Sequence, residues 1–471
     1  SFSGFTSAPN YTISPLTLSG TAIASSGSIY GSTLIPGTVS FSNIIPGDLV
    51  ATTASVNTSS LSSSSHPIVG TYTQSAANSL TGADSANYSF SGFTSAPNYT
   101  ISPLTLSISS IAALNTPYNG TTTATLETSG ATFNQLIQGD IVGVSTASGS
   151  FSDPNVGTSK TVSITGLTIS GADALNYTLS NTTASTTADI TQRTLSSWTG
   201  AAGNQLWSDP RNWDALPSLA NVRSVDIPAG GGAVIYDASA GSTTLSALST
   251  ADALQISGGT LIANGGLNLN ALTISGGQLS GSGSLRVNGL YSQSAGLLSG
   301  FSIIDLRQNN SSPLAITGGS LLSPAAQISI ANLSGPLTID NAILDASGGL
   351  DGGRVDLNGS AIAIANSNIS TSGSNDGGSI QLGMGSPLLQ GLQAPLPSSV
   401  SITNAQLVAD PPTLGGVIGI DGRSISIAGT LLNVFGGSGG SIALGSTNTT
   451  LLSLDPATLI TTGSQASLGF Q

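Results

Sequence analysis

The chain reads as all-β: tandem β-sandwich repeats followed by a parallel β-helix. Three observations point there. The nineteen residues SFSGFTSAPNYTISPLTLS at 1–19 recur at 89–107, an offset of 88 residues, the length of one small domain. From residue 254 a shorter period sets in, with an apolar residue three and eight places into each copy. Charged residues make up 6% of the 471, against roughly 25% in ordinary soluble proteins, and Lys160 and Glu127 are the only Lys and Glu. Exposed helical faces need those residue types, whereas the alternating Thr, Val, Ile and Ser suit strands.

The composition also excludes function classes. Net charge is −13, carried by scattered Asp, so the surface repels nucleic acid and anionic lipid and offers no basic cluster to either. Cys is absent, which removes disulfides and thiolate metal sites. No run of 18 apolar residues exists for a membrane helix, so no direct membrane insertion is expected. A secretion signal and any anchor are expected outside these residues.

The first repeat is spelled twice. IIPGDLVATTASV at 44–56 aligns with LIQGDIVGVSTAS at 136–148, and GADSANYSF at 82–90 with GADALNYTL at 171–179. Residues 20–107 and 108–195 are therefore two copies of one unit, and 1–19 is the C-terminal strand segment of a preceding copy. Turn signals about every ten residues predict sandwiches of short strands. The Gly-Asp pairs ending at Asp48 and Asp140 are turns, and Asp84 and Asp173 are placed to bond nearby backbone N–H groups. Tyr88 and Tyr177 are expected to bury their rings and bond backbone through their hydroxyls.

Residues 196–253 form a junction holding all three tryptophans, Trp198, Trp207 and Trp213. Two uses fit them: an exposed aromatic surface for sugar rings, or a plug over the open end of the next domain. A stacked solenoid needs such a cap, and the cap is the preferred reading.

The second period occupies 254–471. Aligned copies begin at 254, 272, 314, 337, 362, 400 and 425. Their third position is always Ile: Ile256, Ile274, Ile316, Ile339, Ile364, Ile402 and Ile427. Their eighth is Leu or Ile, from Leu261 to Leu432, and weaker copies begin at Leu290 and Leu452. Spacings of 18 to 27 residues, with one of 38, match one turn of a three-stranded coil. The long coil is expected to carry an insertion at 383–398 as a loop on one face. The last coil has no cap, so the solenoid is read as cut in mid-stack.

Few residues carry candidate chemistry. Asp340, Asp345, Asp351, Arg354 and Asp356 are the densest local cluster, but on the aligned coils they fall on different sides of a turn. SNDGGS at 374–379 and SGGLDGGRVD at 347–356 are faintly like Ca²⁺-binding Gly/Asp repeats, making Asp351, Asp356 and Asp376 the weak Ca²⁺ candidates. No cofactor and no catalytic residue is otherwise expected. His66, the only histidine, is read as a solvated loop residue.

Two resemblances add to this. YNGTTTATL at 118–126 and FSDPNVGTSKTVSITGLTISGADALNYTLS at 151–180 resemble a YDG repeat, with Asn119 standing where the family has Asp. IYGSTLIPGTVSF and LTGADSANYSFSGF, within 20–107, resemble the related MBG repeats. Both are immunoglobulin-like modules of large bacterial surface proteins of the filamentous haemagglutinin type, which implies a spacer or adhesive role. The ladder pattern of 254–471 resembles the shafts of two-partner-secreted exoproteins, which implies a right-handed parallel β-helix. The expectation is a non-enzymatic extracellular protein of the bacterial surface or biofilm matrix. It would partner copies of itself or neighbouring repeats, and surface glycans, with strand addition by residues 1–19 as a route of assembly. The alternative is a β-helical protein that binds or degrades polysaccharide.

Overall fold

The computed structural model describes residues 11–383, 396–410, 413–436, 438–446, 448–462 and 467–470. Nearly every regular element is a strand; the helical elements among these residues are four single turns of 3-10 helix. No helix among them is long and apolar enough to cross a membrane. The chain divides into two compact units. One comprises 1–116, 122–153 and 158–189; the other comprises 117–121, 154–157 and 190–471.

The first unit is built from small sheets. Tyr99–Ser102 lies between Ser26–Ile29, parallel to it, and Gly70–Tyr72, antiparallel to it. A second layer pairs Ala54–Val56, Gln74–Ala76 and Phe93–Thr94. Farther along, the long antiparallel pair Gly143–Phe151 and Gly157–Ser170 anchors a five-stranded sheet. Facing strands come from Thr132–Asn134, Leu104–Ser109 and Tyr177–Leu179. The domain boundary expected at 107/108 falls inside Leu104–Ser109, which pairs parallel with Tyr177–Leu179 of the following repeat. The repeated letters therefore run one strand past the sandwich they close. Tyr30, Tyr99, Ile101, Leu106 and Tyr177 form one buried cluster, so the two repeats share a core.

The second unit is a parallel β-helix with three short strands per coil. Its first face runs Leu254–Ile256, its second Thr260–Ala263, and its third opens Leu267–Ile274. The register joins Tyr236, Ile256, Ile274, Gln293, Ile316, Ile339, Ile364, Ile402, Ile427 and Leu454 into one file. A second file runs Leu261, Leu279, Leu298, Leu321, Leu344, Ile369, Leu407 and Leu432. All seven isoleucines of the repeat are at most 1% exposed. Successive rungs lie one strand spacing apart, so the nine steps from Tyr236 to Leu454 extend about 43 Å. Each coil brings several fully buried aliphatic side chains, each contributing roughly 1.5–3 kcal/mol of transfer free energy.

Three expectations change. The stack starts before residue 254: Val234–Tyr236 and Ser242–Leu245 are the first strands of the two long parallel sheets. Tyr236 there stands in the isoleucine file, so the sequence pattern did not reveal that coil. The weak copy beginning at Leu290 is displaced by one residue. Tyr291 stacks on Leu272 and Gln293 on Ile274, after a register irregularity between Leu269 and Ala271, and Leu290 is 58% exposed. A one-residue slip exchanges the two faces of a strand, so a polar Gln enters the core. The insertion at 383–398 lies outside the described residues except for Gly383 and residues 396–398.

Coil corners use two left-handed residues in turn. Gly259, Gly277, Gly296 and Gly319 have positive φ three places after the file residue. From the coil of Ile339 onward the positive φ moves one place earlier, to Asn341, Asn366, Asn404 and Gly429. The next residue then turns inward, and Ala342, Ser367, Ala405 and Thr430 are at most 4% exposed. Asn tolerates this conformation better than other non-glycine residues.

Candidate functional site

Three groups of side chains qualify for scrutiny: the solenoid carboxylates, the tryptophans and the aspartate–tyrosine clusters of the sandwiches.

The solenoid carboxylates are dispersed. Asp351 and Asp376 sit on successive coils, bridged in parallel at one corner, where Gly352 N–H donates to the Asp376 carbonyl at 2.9 Å. Asp356 lies elsewhere, in strand Arg354–Gly359, fully buried and held by Arg354 Nε at 2.8 Å and by Gln327 Nε2 at 2.9 Å. A carboxylate engaged by a guanidinium is poorly placed to ligate a cation. Asp340 accepts from Asn366, and Asp345 accepts from Ser347 N–H. Among the described residues no group of three or more His, Cys, Asp or Glu is arranged to hold a metal ion. Of the three Ca²⁺ candidates the structure thus brings Asp351 and Asp376 to one corner and leaves Asp356 apart from them.

The tryptophans form one stack. Trp198 meets Trp213 edge-on at 4.9 Å between centroids, Trp213 meets Trp207 at 4.6 Å, and Trp207 meets Tyr236 at 5.2 Å. Trp207 Nε1 donates to the Pro217 carbonyl and Trp213 Nε1 to the Trp207 carbonyl. All three rings are at most 5% exposed. They continue the isoleucine file through Tyr236, and stacking on a pyranose needs an open ring face that none of them has. Asp209 starts the turn Pro210–Asn212 by accepting from Arg211 N–H, which carries the chain between the second and third tryptophan.

The sandwich clusters are the most constructed polar sites. In the second repeat, Asp140 Oδ2 accepts from the hydroxyls of Tyr177 at 2.5 Å and Tyr30 at 2.6 Å, and Oδ1 accepts from Ser64 N–H at 3.2 Å. Asp173 accepts from Ile141 N–H at 2.7 Å and Ser63 N–H at 3.0 Å, and Asn176 Oδ1 from Val69 N–H at 2.9 Å. Burial by itself pushes the Asp140 carboxyl up, but the hydrogen bonds from Ser64, Tyr177 and Tyr30 outweigh it, and its pKa lies below the ordinary value. Asp173 is lowered the same way, burial being outweighed by the N–H groups of Ile141 and Ser63. The Tyr177 phenol moves up, through burial and then its bond to Asp140. Sequence reasoning identified Asp140, Asp173 and Tyr177 as turn and strand residues. It missed that the preceding repeat supplies Tyr30, Ser63, Ser64 and Val69; the hydroxyl of Tyr30 crosses a separation of 110 residues. His66 also sits here, half-buried, against the Tyr30 ring and bonded through Nδ1 to Ser64 Oγ.

Asn119 does serve as a turn residue: its side-chain oxygen accepts from Thr121 N–H at 2.9 Å.

Residues 102–187 match the family model for the YDG domain. The match begins two residues before the strand that crosses the expected repeat boundary. No curated protein and no solved structure matches the chain.

Proposed function

We propose that the chain is a non-catalytic structural and adhesive protein that works outside the bacterial cell, as part of a surface rod, filament or matrix. The observation that carries this reading is the continuous buried file from Tyr236 to Ile427, sealed at one end by three tryptophans. Parallel coils hydrogen-bonded along their whole length resist bending and stretching, because deformation breaks backbone bonds and unpacks side chains together. A YDG module is compatible with a surface role, and the scarcity of charge suits a component whose interactions are with its own repeats.

Atomic-force stretching of the single chain tests it. A load-bearing element should give discrete, high-force steps for the solenoid, with Ile339→Ala lowering the force. Gradual yielding at low force would remove the mechanical reading. The polysaccharide-acting alternative predicts turnover of acidic or neutral glycans that is lost on changing Asp345, Asp351 and Asp356 to Ala; turnover by the native chain that those changes abolish would replace the proposal.

A further inference from the structure

The first repeat carries the same cluster as the second, but with its outer half empty. Tyr88 OH donates to Asp48 Oδ2 at 2.7 Å and accepts from Ile45 N–H, and Leu49 N–H donates to Asp84 Oδ2 at 2.8 Å. These repeat the contacts of Tyr177, Asp140 and Asp173. Leu16–Thr17 pairs parallel with Tyr88–Ser89, as Leu104–Leu106 pairs with Tyr177–Leu179. What differs is the covering side. Asn87 is exposed, whereas its counterpart Asn176 is 4% exposed. Tyr11 and Ile13 are 84% and 82% exposed, whereas Tyr99 and Ile101, the same letters in the recurring segment, are 0% and 1%. A cleft of about 470 Å³ lined by Ile13, Leu16, Ile45, Asp48, Asn87 and Tyr88 opens where the second cluster is filled by Tyr30 and the Ser63–Ser64 turn.

We infer that this cleft is a docking socket for a further sandwich of the 20–107 type, joined in line through the strand at residues 11–18. The occupant's chemistry is specified by the filled site. A tyrosine hydroxyl reaches Asp48, two consecutive backbone N–H groups reach Asp48 and Asp84, and a third N–H reaches Asn87. The strand 11–14 then becomes an inner strand of the incoming module, which buries Tyr11 and Ile13. An intact second copy cannot supply this face, because its Tyr30, Ser63, Ser64 and Val69 are already engaged with its own second repeat. The inference concerns the sandwiches alone and does not depend on the adhesive reading.

Placing residues 20–88 ahead of Ser1 completes such a module, because 1–19 repeats 89–107. The chain has no cysteine, so a single thiol is uniquely addressable. With Asn87→Cys, thiol labelling should slow at least tenfold in the lengthened chain relative to the original. Adding Asp48→Ala and Asp84→Ala should restore the fast rate. Ile13→Cys, read in the same pair of chains, reports whether the added module folds. Equal labelling of Cys at 87 in both chains overturns the socket, whether Ile13→Cys is protected (a folded but undocked module) or not. Protection of the thiol at 87 in the original chain, together with dimers in solution, assigns the cleft to a second copy and overturns the in-line arrangement.

Discussion

Replacing Gln293 by Leu should destabilise the solenoid even though it makes the file more apolar. Gln293 is 1% exposed between Ile274 and Ile316, and its Oε1 accepts from the Tyr291 hydroxyl at 2.6 Å. Tyr291 is 2% exposed, and burial pushes its phenol up, so the hydroxyl stays protonated and must find an acceptor. Leucine removes the acceptor. An orphaned buried hydroxyl costs about 1–3 kcal/mol, and the bonds from the Gln293 amide to the Gly296 and Ser320 carbonyls are lost with it, so the combined loss exceeds the gain from one aliphatic group. Tyr291→Phe alone removes the donor and leaves the amide oxygen unpaired, at a similar cost. The double change, Tyr291→Phe with Gln293→Leu, removes both and should recover most of the loss, a coupling of about 1–3 kcal/mol. A solenoid need not unfold in one step, so the assay is hydrogen exchange of the amides in strands Ser284–Gln293 and Leu314–Ile316, with chemical denaturation as a check. Additive effects of the two single changes would refute the reasoning, as would a Gln293→Leu chain as stable as the original.

Other expectations follow from the same packing. Ile339→Ala deletes a fully buried rung between Ile316 and Ile364 and should cost about 2–5 kcal/mol, read by exchange that rises in adjoining coils more than near Ile427. Trp207→Ala should cost about 3–5 kcal/mol, with Tyr236 becoming accessible to solvent by fluorescence quenching, because the ring fills the space between Trp213 and Tyr236. Gly277→Ala should disrupt its corner, since φ is +64° and a Cβ would stand 2.5 Å from the Gly258 carbonyl carbon; Asn404→Gly at a corner of the other kind should be close to neutral. Asp140 and Asp173 have folded pKa values below the ordinary 3.8, so their stabilisation is complete above that value and is lost as pH falls through and below it. The sandwich unit should therefore weaken between about pH 5 and pH 2, and Asp140→Asn should flatten that acid limb in melting curves taken across the range.

The sequence by itself determined the class and most of the solenoid. Stacked coils place like residues on like, so a periodicity of Ile316, Ile339 and Ile364 in letters is also a contact map. The same holds for the corners, where Asn and Gly mark left-handed backbone. What escaped was anything decided by register or by distant chain. Gln293 entered the core because one irregular rung shifted the strand, and no alignment of letters shows a bulge. Tyr236 stands in the file with a different residue type, breaking the pattern that identified the other coils. The aspartate clusters were legible as recurring turns, yet only tertiary structure joined them to Tyr30 and the Ser63–Ser64 backbone, because those donors come from a separate repeat and leave no periodic trace. Local geometry is written in short spacings along the chain, whereas pairing across a hundred residues is settled by which surfaces can satisfy one another's buried polar groups.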